Sequence, residues 1–112
     1  MVKRIKSFDA EFYARISIPD LILFSIYQAE GRQEKCTFDR LVKECFVLFP
    51  NCFSFPLFPQ WPDSRKLDRP LRTLRKTKLI FGDPKTFFAL TKTGAKRAEE
   101  VSKIFRQRKL FK

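Results

Sequence analysis

The clearest pattern of apolar and polar positions lies in residues 38–49, where apolar side chains recur three or four positions apart. This spacing predicts a helix with one buried face, preceded by Thr37 as its N-cap. Asp39 with Lys43, and Arg40 with Glu44, are spaced to form ion pairs on the opposite face. The buried face is predicted to consist of Phe38, Leu41, Val42, Cys45, Phe46 and Phe49.

Two helices are predicted before this one. In residues 7–16, apolar residues at every fourth position follow Ser7, a possible N-cap, and indicate a short amphipathic helix. Pro19 suits the first turn of a second helix that runs to about Ala29 and ends at Gly31. Apolar residues surround this second helix almost completely, which predicts a place at the centre of the domain. The apolar residues of the first helix are Phe8, Phe12 and Ile16.

The stretch 63–80 combines leucines with basic residues. If it is helical, Leu67, Leu71 and Leu74 lie within about 60° of one another and a basic stripe lies opposite them. Pro70 lacks an N–H and fits only a first turn, so the regular helix is predicted to begin between Lys66 and Asp68, with one of these two near the N-cap. A separate turn is expected at residues 63–65. The basic stripe consists of Arg65, Arg69, Arg72 and Lys76.

A β-hairpin and a last helix are predicted to follow. Residues 79–81 and 86–91 favour strands, and Gly82-Asp83-Pro84-Lys85 between them is typical of a turn. Cys36-Thr37 is a further candidate for a brief strand. The last helix is predicted to begin near Thr91 or Thr93 and to continue past Val101. Its packed face is expected to consist of Ala95, Ala98, Val101 and Phe105.

Residues 50–62 form the least ordinary stretch, because four prolines and four aromatic residues share it. The prolines argue against a helix or a central strand. We therefore expect an ordered, extended loop that its aromatic side chains hold against the body of the domain. The alternative is a hydrophobic docking site for a partner protein. The aromatic residues in question are Phe53, Phe55, Phe58 and Trp61.

Length and charge narrow the class of protein. The 112 residues suit a single domain over residues 1–112, with a core of about 18–101 and basic extensions at 1–17 and 102–112. The formal charge is +12, and it is concentrated in three segments. Residues 63–78, for example, hold seven Lys and Arg against two Asp. Such a segregated surplus indicates a polyanionic partner.

Several chemistries are expected to be absent. The sequence has no histidine and only three cysteines, Cys36, Cys45 and Cys52, without a C-x-x-C pair. Neither a catalytic triad nor a tetrahedral zinc site can be assembled from these residues. We therefore expect no cofactor, no metal and no enzymatic activity. Apolar runs are too short for a membrane span, and no signal peptide is recognised, so a cytoplasmic, intracellular protein without membrane contact is expected.

The order of the elements resembles the winged helix-turn-helix superfamily over about residues 18–101. The stretch LDRPLRTLRKTKLI, followed by FGDPKTFFALTKTG, is similar to a recognition helix entering a wing in PadR-like and MarR-like regulators. The resemblance implies a mainly α fold with a small β-hairpin and additional N- and C-terminal helices. It differs in the long connection 50–62 and in Pro70 within the recognition helix.

Charge and resemblance together predict sequence-dependent binding of double-stranded DNA, as a transcriptional regulator or as the DNA-binding subunit of a mobile-element or host system. The alternative is a winged-helix module that docks a protein partner through residues 50–62. A homodimer through the terminal helices is also predicted, from the apolar residues Ile104, Phe105, Leu110 and Phe111 at one end and Phe8, Phe12 and Ile16 at the other. The predicted DNA contacts are Arg65, Lys66, Arg69, Arg72, Thr73, Lys76 and Lys85.

Overall fold

The computed structural model describes residues 10–110, with side chains described to Arg106. These residues form six helices and one antiparallel two-stranded hairpin, which confirms the predicted mainly helical class with a small β-hairpin. The elements in chain order are α1 (Ala10–Tyr13), α2 (Ile18–Gly31), α3 (Phe38–Leu48), α4 (Pro50–Phe53), α5 (Arg65–Lys76), β1 (Ile80–Gly82), β2 (Phe88–Leu90) and α6 (Lys92–Leu110).

Helix α2 occupies the centre of the fold, as its apolar sequence predicts. The six consecutive residues 21–26 are all buried, and the helix contacts α3, α5, α6 and β2. Ser17 is its N-cap and accepts a hydrogen bond from the Asp20 N–H. The helix ends at Gly31, as predicted, but Gly31 is its last helical residue rather than the C′ residue, and the left-handed backbone (φ 60°) follows at Gln33. A side chain at Gly31 would meet open space, so packing does not require glycine there.

Helix α3 begins where the sequence predicts, because the Thr37 hydroxyl accepts a hydrogen bond from the Arg40 N–H. Its predicted ion pair between Arg40 and Glu44 was wrong. Glu44 is buried and accepts two hydrogen bonds from the Arg32 guanidinium, at 2.6 and 3.1 Å. Arg40 instead pairs with Glu34 at 3.2 Å. Arg32 and Glu34, which precede α3 in the chain, are therefore the partners of Glu44 and Arg40.

The cysteine at the middle of α3 belongs to the core. Cys45 is fully buried, and Cys36 is 1% exposed. Desolvation by burial raises the pKa of both thiols, to about 12 for Cys36. Both are held in the unreactive thiol form, which agrees with packing as their role.

The terminal helices cover the same side of the core. The Phe12 and Phe105 rings meet edge to face with centroids 5.4 Å apart, and the Tyr13 ring lies 5.1 Å from that of Phe49. Helix α1 is shorter than the predicted helix over residues 7–16, since the chain turns after Tyr13; Ser7 and Phe8 lie outside the described residues. Tyr13, which the predicted apolar stripe did not include, is completely buried.

Helix α4 was not expected. Pro50 stands at its first position, where its missing N–H costs no hydrogen bond and its fixed φ favours a helix. The prediction that four prolines exclude a helix from residues 50–62 was therefore wrong for Pro50–Phe53. The Tyr13 hydroxyl accepts a hydrogen bond from the Asn51 N–H at 2.9 Å and ties α4 to α1.

The hairpin is fixed at both ends by close backbone contacts. The Thr91 hydroxyl caps α6 by accepting from the Gly94 N–H and donates to the Lys78 carbonyl at 2.7 Å. A Cβ at Gly94 would lie 1.8 Å from the Leu79 carbonyl oxygen, so this approach requires glycine. At the other side the Phe88 N–H donates to the Cys36 carbonyl at 2.9 Å, a single bridge where a brief strand was predicted.

Helix α6 lies against α2 along the predicted face, on which Ala98, Val101 and Phe105 are buried. The Arg97 guanidinium donates two hydrogen bonds to the Asp20 carboxylate, at 2.6 and 3.0 Å, and links α6 to the first turn of α2. The helices and the hairpin thus form one body, on which α5 and β1 are adjacent.

Candidate nucleic-acid interface

Helix α5 begins at Arg65, earlier than the sequence predicts. The Asp63 carboxylate accepts a hydrogen bond from the Arg65 N–H at 3.1 Å, and Ser64 stands at the N-cap. The Asp63 N–H in turn donates to the Phe53 carbonyl at 2.7 Å, which attaches the start of α5 to α4. The prediction of a start between Lys66 and Asp68 was therefore wrong.

Pro70 consequently lies inside α5, and the helix continues through it. An interior proline costs about 3 kcal/mol. Leu67, Leu71 and Leu74 are 0–4% exposed, and burying each side chain stabilises the helix by about 1.5–3 kcal/mol. The buried leucines thus outweigh the proline, and the predicted leucine ridge is confirmed.

The opposite side of α5 presents cations to solvent. Arg69, Arg72, Arg75 and Lys76 are all exposed. No acidic side chain in the described part of the chain lies within 4.0 Å of their charged groups. Lys66 and Thr73 are also exposed, on the flank of this surface. We call Lys66, Arg69, Arg72, Arg75 and Lys76 the basic face of α5.

Arg65 differs from the other predicted DNA contacts on α5. Its guanidinium donates two hydrogen bonds to the Asp63 carboxylate, at 2.9 and 3.1 Å, and lies 5.1 Å from the centre of the Phe55 ring. The hydrogen bonds from Arg65 hold the pKa of the Asp63 carboxyl below its usual value and raise the pKa of Arg65. Arg65 is thus engaged within the chain at the N-terminal end of the helix.

A groove joins the C-terminal half of α5 to the hairpin. Its volume is about 790 Å³. It brings two predicted contacts, Arg72 and Lys76, together with Arg75, Lys78 and Phe81, which the sequence reasoning did not single out. One feature of the sequence could have identified Phe81. Neighbouring residues of a strand face opposite sides, so the burial of Ile80 places Phe81 on the exposed side of β1. The groove is lined by Arg72, Arg75, Lys76, Lys78, Ile80, Phe81, Gly82 and Thr91.

The turn of the hairpin carries the last predicted contact, Lys85, which is exposed. The Asp83 carboxylate accepts hydrogen bonds from the N–H groups of Lys85 and Thr86, at 2.8 and 3.2 Å, and fixes the shape of the turn. Gly82 enters it with φ 105°, a conformation that favours glycine. Lys85 therefore projects from an ordered turn, although it does not line the groove.

The loop before α5 departs from its predicted packing. Phe53 is 1% exposed and holds this stretch against the core as predicted, so it is excluded from the docking surface predicted as the alternative. Phe58 and Trp61, expected to hold the loop against the body, are 49% and 54% exposed instead. They stack on each other, with ring centroids 5.1 Å apart, rather than on the core.

The residues predicted to form a dimer interface are largely used within the chain. Phe12 and Phe105 pack against each other in the same core, whereas Ile104 is 45% exposed. The side chain of Leu110, together with Phe8 and Phe111, lies outside the described residues. The homodimer stays a prediction.

Comparison of the chain with models of protein families, with curated proteins and with solved structures finds no match. Within residues 10–110, no helix is long and apolar enough to cross a membrane. The same residues contain no group of three or more Cys, Asp or Glu side chains arranged to hold a metal ion. Among the described residues, the basic face of α5 and the adjoining groove therefore form the candidate binding surface.

Proposed function

We propose that the protein binds double-stranded DNA through the basic face of α5 and the hairpin, as a winged helix-turn-helix domain. The observation that carries the proposal is the set of cations on the exposed side of α5 that have no acidic partner among the described residues, while the leucines of the same helix are anchored in the core. Cations without intramolecular partners repel one another, and a polyanion removes that cost.

The dimensions of α5 favour duplex DNA over duplex RNA. A helix with its side chains is about 10–12 Å across, and the major groove of B-DNA is about 12 Å wide. The major groove of A-form RNA is too deep and narrow for side chains to read. In this arrangement α5 enters the major groove, and Lys85 on the hairpin contacts the neighbouring backbone or minor groove.

The cations of the basic face then divide into two roles. Arg69 and Arg72 lie opposite the buried leucines, and an arginine fork donates two hydrogen bonds to the O6 and N7 atoms of guanine. Lys66 and Lys76 act as point charges toward phosphates. Thr73, on the flank of this surface, contributes a hydroxyl that either donates or accepts.

The test is a titration of labelled duplex DNA, single strand and duplex RNA at two salt concentrations. Duplex DNA should bind most tightly, with log K falling by a slope of about 0.9 per phosphate neutralised. The double variant Arg69→Ala/Arg72→Ala should lose most of the affinity while circular dichroism shows an unchanged fold, since both side chains are exposed.

A charge-matched control separates this surface from total charge. Arg15 and Lys43 are exposed and lie outside α5 and the hairpin. Arg15→Ala/Lys43→Ala removes the same two charges and should leave affinity nearly unchanged. Equal losses in the two double variants, or equal affinity for duplex RNA, would contradict the proposal.

A further inference from the structure

The connection between α4 and α5 carries three of the exposed large apolar side chains of the described residues, including the most exposed one, Leu57. We call residues 54–62 the aromatic loop. Leu57 at its tip is 85% exposed, and Phe58 and Trp61 are about half exposed. A small domain rarely leaves such a cluster in water unless the cluster has a partner.

The aromatic loop is held in a defined shape. A backbone bridge joins Ser54 to Pro62 at its base. Within it, the Phe55 N–H donates to the Trp61 carbonyl at 3.1 Å, and the Trp61 N–H donates to the Phe58 carbonyl at 3.0 Å. The Phe58 and Trp61 rings are inclined by only 23°, so the pair is a small stack of two rings. Its shape is therefore set before any partner binds, which lowers the entropic cost of binding.

The aromatic loop leads into the N-terminal end of α5, which carries the basic face. Arg65 at the start of α5 lies over the Phe55 ring at the base of the loop. Residues 50–62 contain no Asp or Glu, so nothing in the loop repels an anion that approaches α5. The chemistry that fits flat apolar rings beside cations is the base of a nucleic acid, which has an apolar face and an attached phosphate.

We propose that the tip of the aromatic loop inserts Leu57 and Phe58 into a weakly stacked base step of the DNA duplex that α5 binds. This inference rests on the proposed function. Leucine and phenylalanine are among the side chains that wedge between base pairs, and the energy of unstacking is least where a mismatch already weakens the step. The inserted Phe58 ring keeps Trp61 stacked behind it. The protein then binds a duplex with one mismatched pair more tightly than the fully paired duplex.

Trp61 supplies the measurement, because it is the single tryptophan of the chain. Its emission is recorded while short duplexes, fully paired or with one central mismatch, are added, and affinity is measured in parallel by anisotropy of a labelled strand. The mismatched duplex should bind about tenfold more tightly and should quench Trp61, since base–aromatic stacking is worth about that factor or more.

Two variants keep the test independent of folding. Leu57→Ala/Phe58→Ala changes exposed side chains, so it should fold normally, keep the salt dependence of duplex binding and lose the preference for the mismatch. Ile104→Ala removes an exposed apolar side chain on α6 and should behave as the wild type.

The outcomes are distinguishable. Salt-dependent duplex binding with an unchanged Trp61 emission overturns the insertion of Leu57 and Phe58, which we call the wedge, but agrees with DNA binding by α5. Absence of duplex binding overturns both the wedge and the proposed function. Quenching by single strand equal to that by the mismatched duplex replaces the wedge with single-strand stacking. A blue shift with phosphatidylserine vesicles, without quenching by DNA, assigns the loop to a membrane surface and also overturns the wedge.

Discussion

Helices α3 and α5 are built alike on one side and differently on the other. They have 11 and 12 residues, and each packs a buried apolar side against α2. Along its length α3 carries two acids, of which Glu44 is buried, and two bases, whereas α5 carries six bases and one acid. The buried sides of both helices therefore anchor them to α2, and the two helices differ in the charges that they carry.

Two of the four charges of α3 are matched within the chain. Glu44 pairs with Arg32 at 2.6 Å, and Arg40 pairs with Glu34 at 3.2 Å. Only Arg65 of the α5 cations has such a partner among the described residues, at 2.9 Å from Asp63. A helix that needs charge only for solubility can mix both signs, as α3 does. The difference supports the proposal that the basic face of α5 binds a polyanion.

The largest expected effect tests the similarity of the two helices. Leu41→Ala in α3 and Leu74→Ala in α5 remove side chains that are at most 1% exposed. Each should lower the free energy of unfolding by about 2–5 kcal/mol through lost burial and a residual cavity. Urea denaturation measures both. A loss below 1 kcal/mol at Leu74 alone would show that α5 is not anchored as α3 is.

The buried sides were predictable because periodicity records them. Leu67, Leu71 and Leu74 follow from the spacing of a helix, and Thr37 follows from local capping chemistry. The partners of charges were less predictable: Arg40 and Glu44 have i, i+4 spacing, yet Glu44 bonds to Arg32, twelve residues away. Sequence spacing captures neighbours on one helix and misses contacts that tertiary packing creates.

The region before α5 shows the same limit. The start of α5 depends on the Asp63 carboxylate, which the backbone of α4 positions through Phe53. The Phe58–Trp61 stack depends on the path of a loop with no periodicity. Charge and helical spacing were enough to predict DNA contacts on α5. The groove that contains Arg75, Lys78 and Phe81 is formed by the packing of β1 beside α5, which spacing along the sequence does not reveal.

The second prediction tests whether the difference in charge between α5 and α3 decides which helix binds DNA. Arg72→Ala should weaken binding to a preferred duplex by about 1–3 kcal/mol and relax the preference at one base pair. Arg40→Ala removes the same charge from α3, where Glu34 already neutralises it, and should leave affinity unchanged. Binding of a randomised duplex pool followed by sequencing measures both quantities. A uniform loss over all sequences in Arg72→Ala would reassign that residue to phosphate contact.

The third prediction concerns the hairpin turn. Lys85 is exposed on a turn that Asp83 orders through backbone hydrogen bonds. Lys85→Ala should reduce affinity nearly equally for all sequences and lower the salt slope by about 1. Titration of two unrelated duplexes at several salt concentrations tests this, with Lys43→Ala on α3 as the charge-matched control. A changed sequence preference with an unchanged slope would contradict the role.

The last and smallest expected effect follows from removing the ion pair that Arg65 of α5 forms with Asp63. In Asp63→Asn the amide oxygen can still accept from the Arg65 N–H, but the guanidinium is no longer held by a carboxylate. Arg65 then becomes available to phosphate, and the salt slope should steepen by up to about 0.9. Asp39→Asn on α3 removes the same negative charge from an exposed site and should not steepen it.

The same variant has a signature in acid. Because the hydrogen bonds from Arg65 lower the pKa of the Asp63 carboxyl below its ordinary value of 3.8, the ionised carboxylate stabilises the fold fully above that value. Its contribution is lost as the pH falls through the lower folded pKa. The wild type should therefore lose more stability than Asp63→Asn between about pH 5 and pH 2, measured by urea denaturation. Equal losses over that range would mean that the Asp63–Arg65 pair does not stabilise the start of α5.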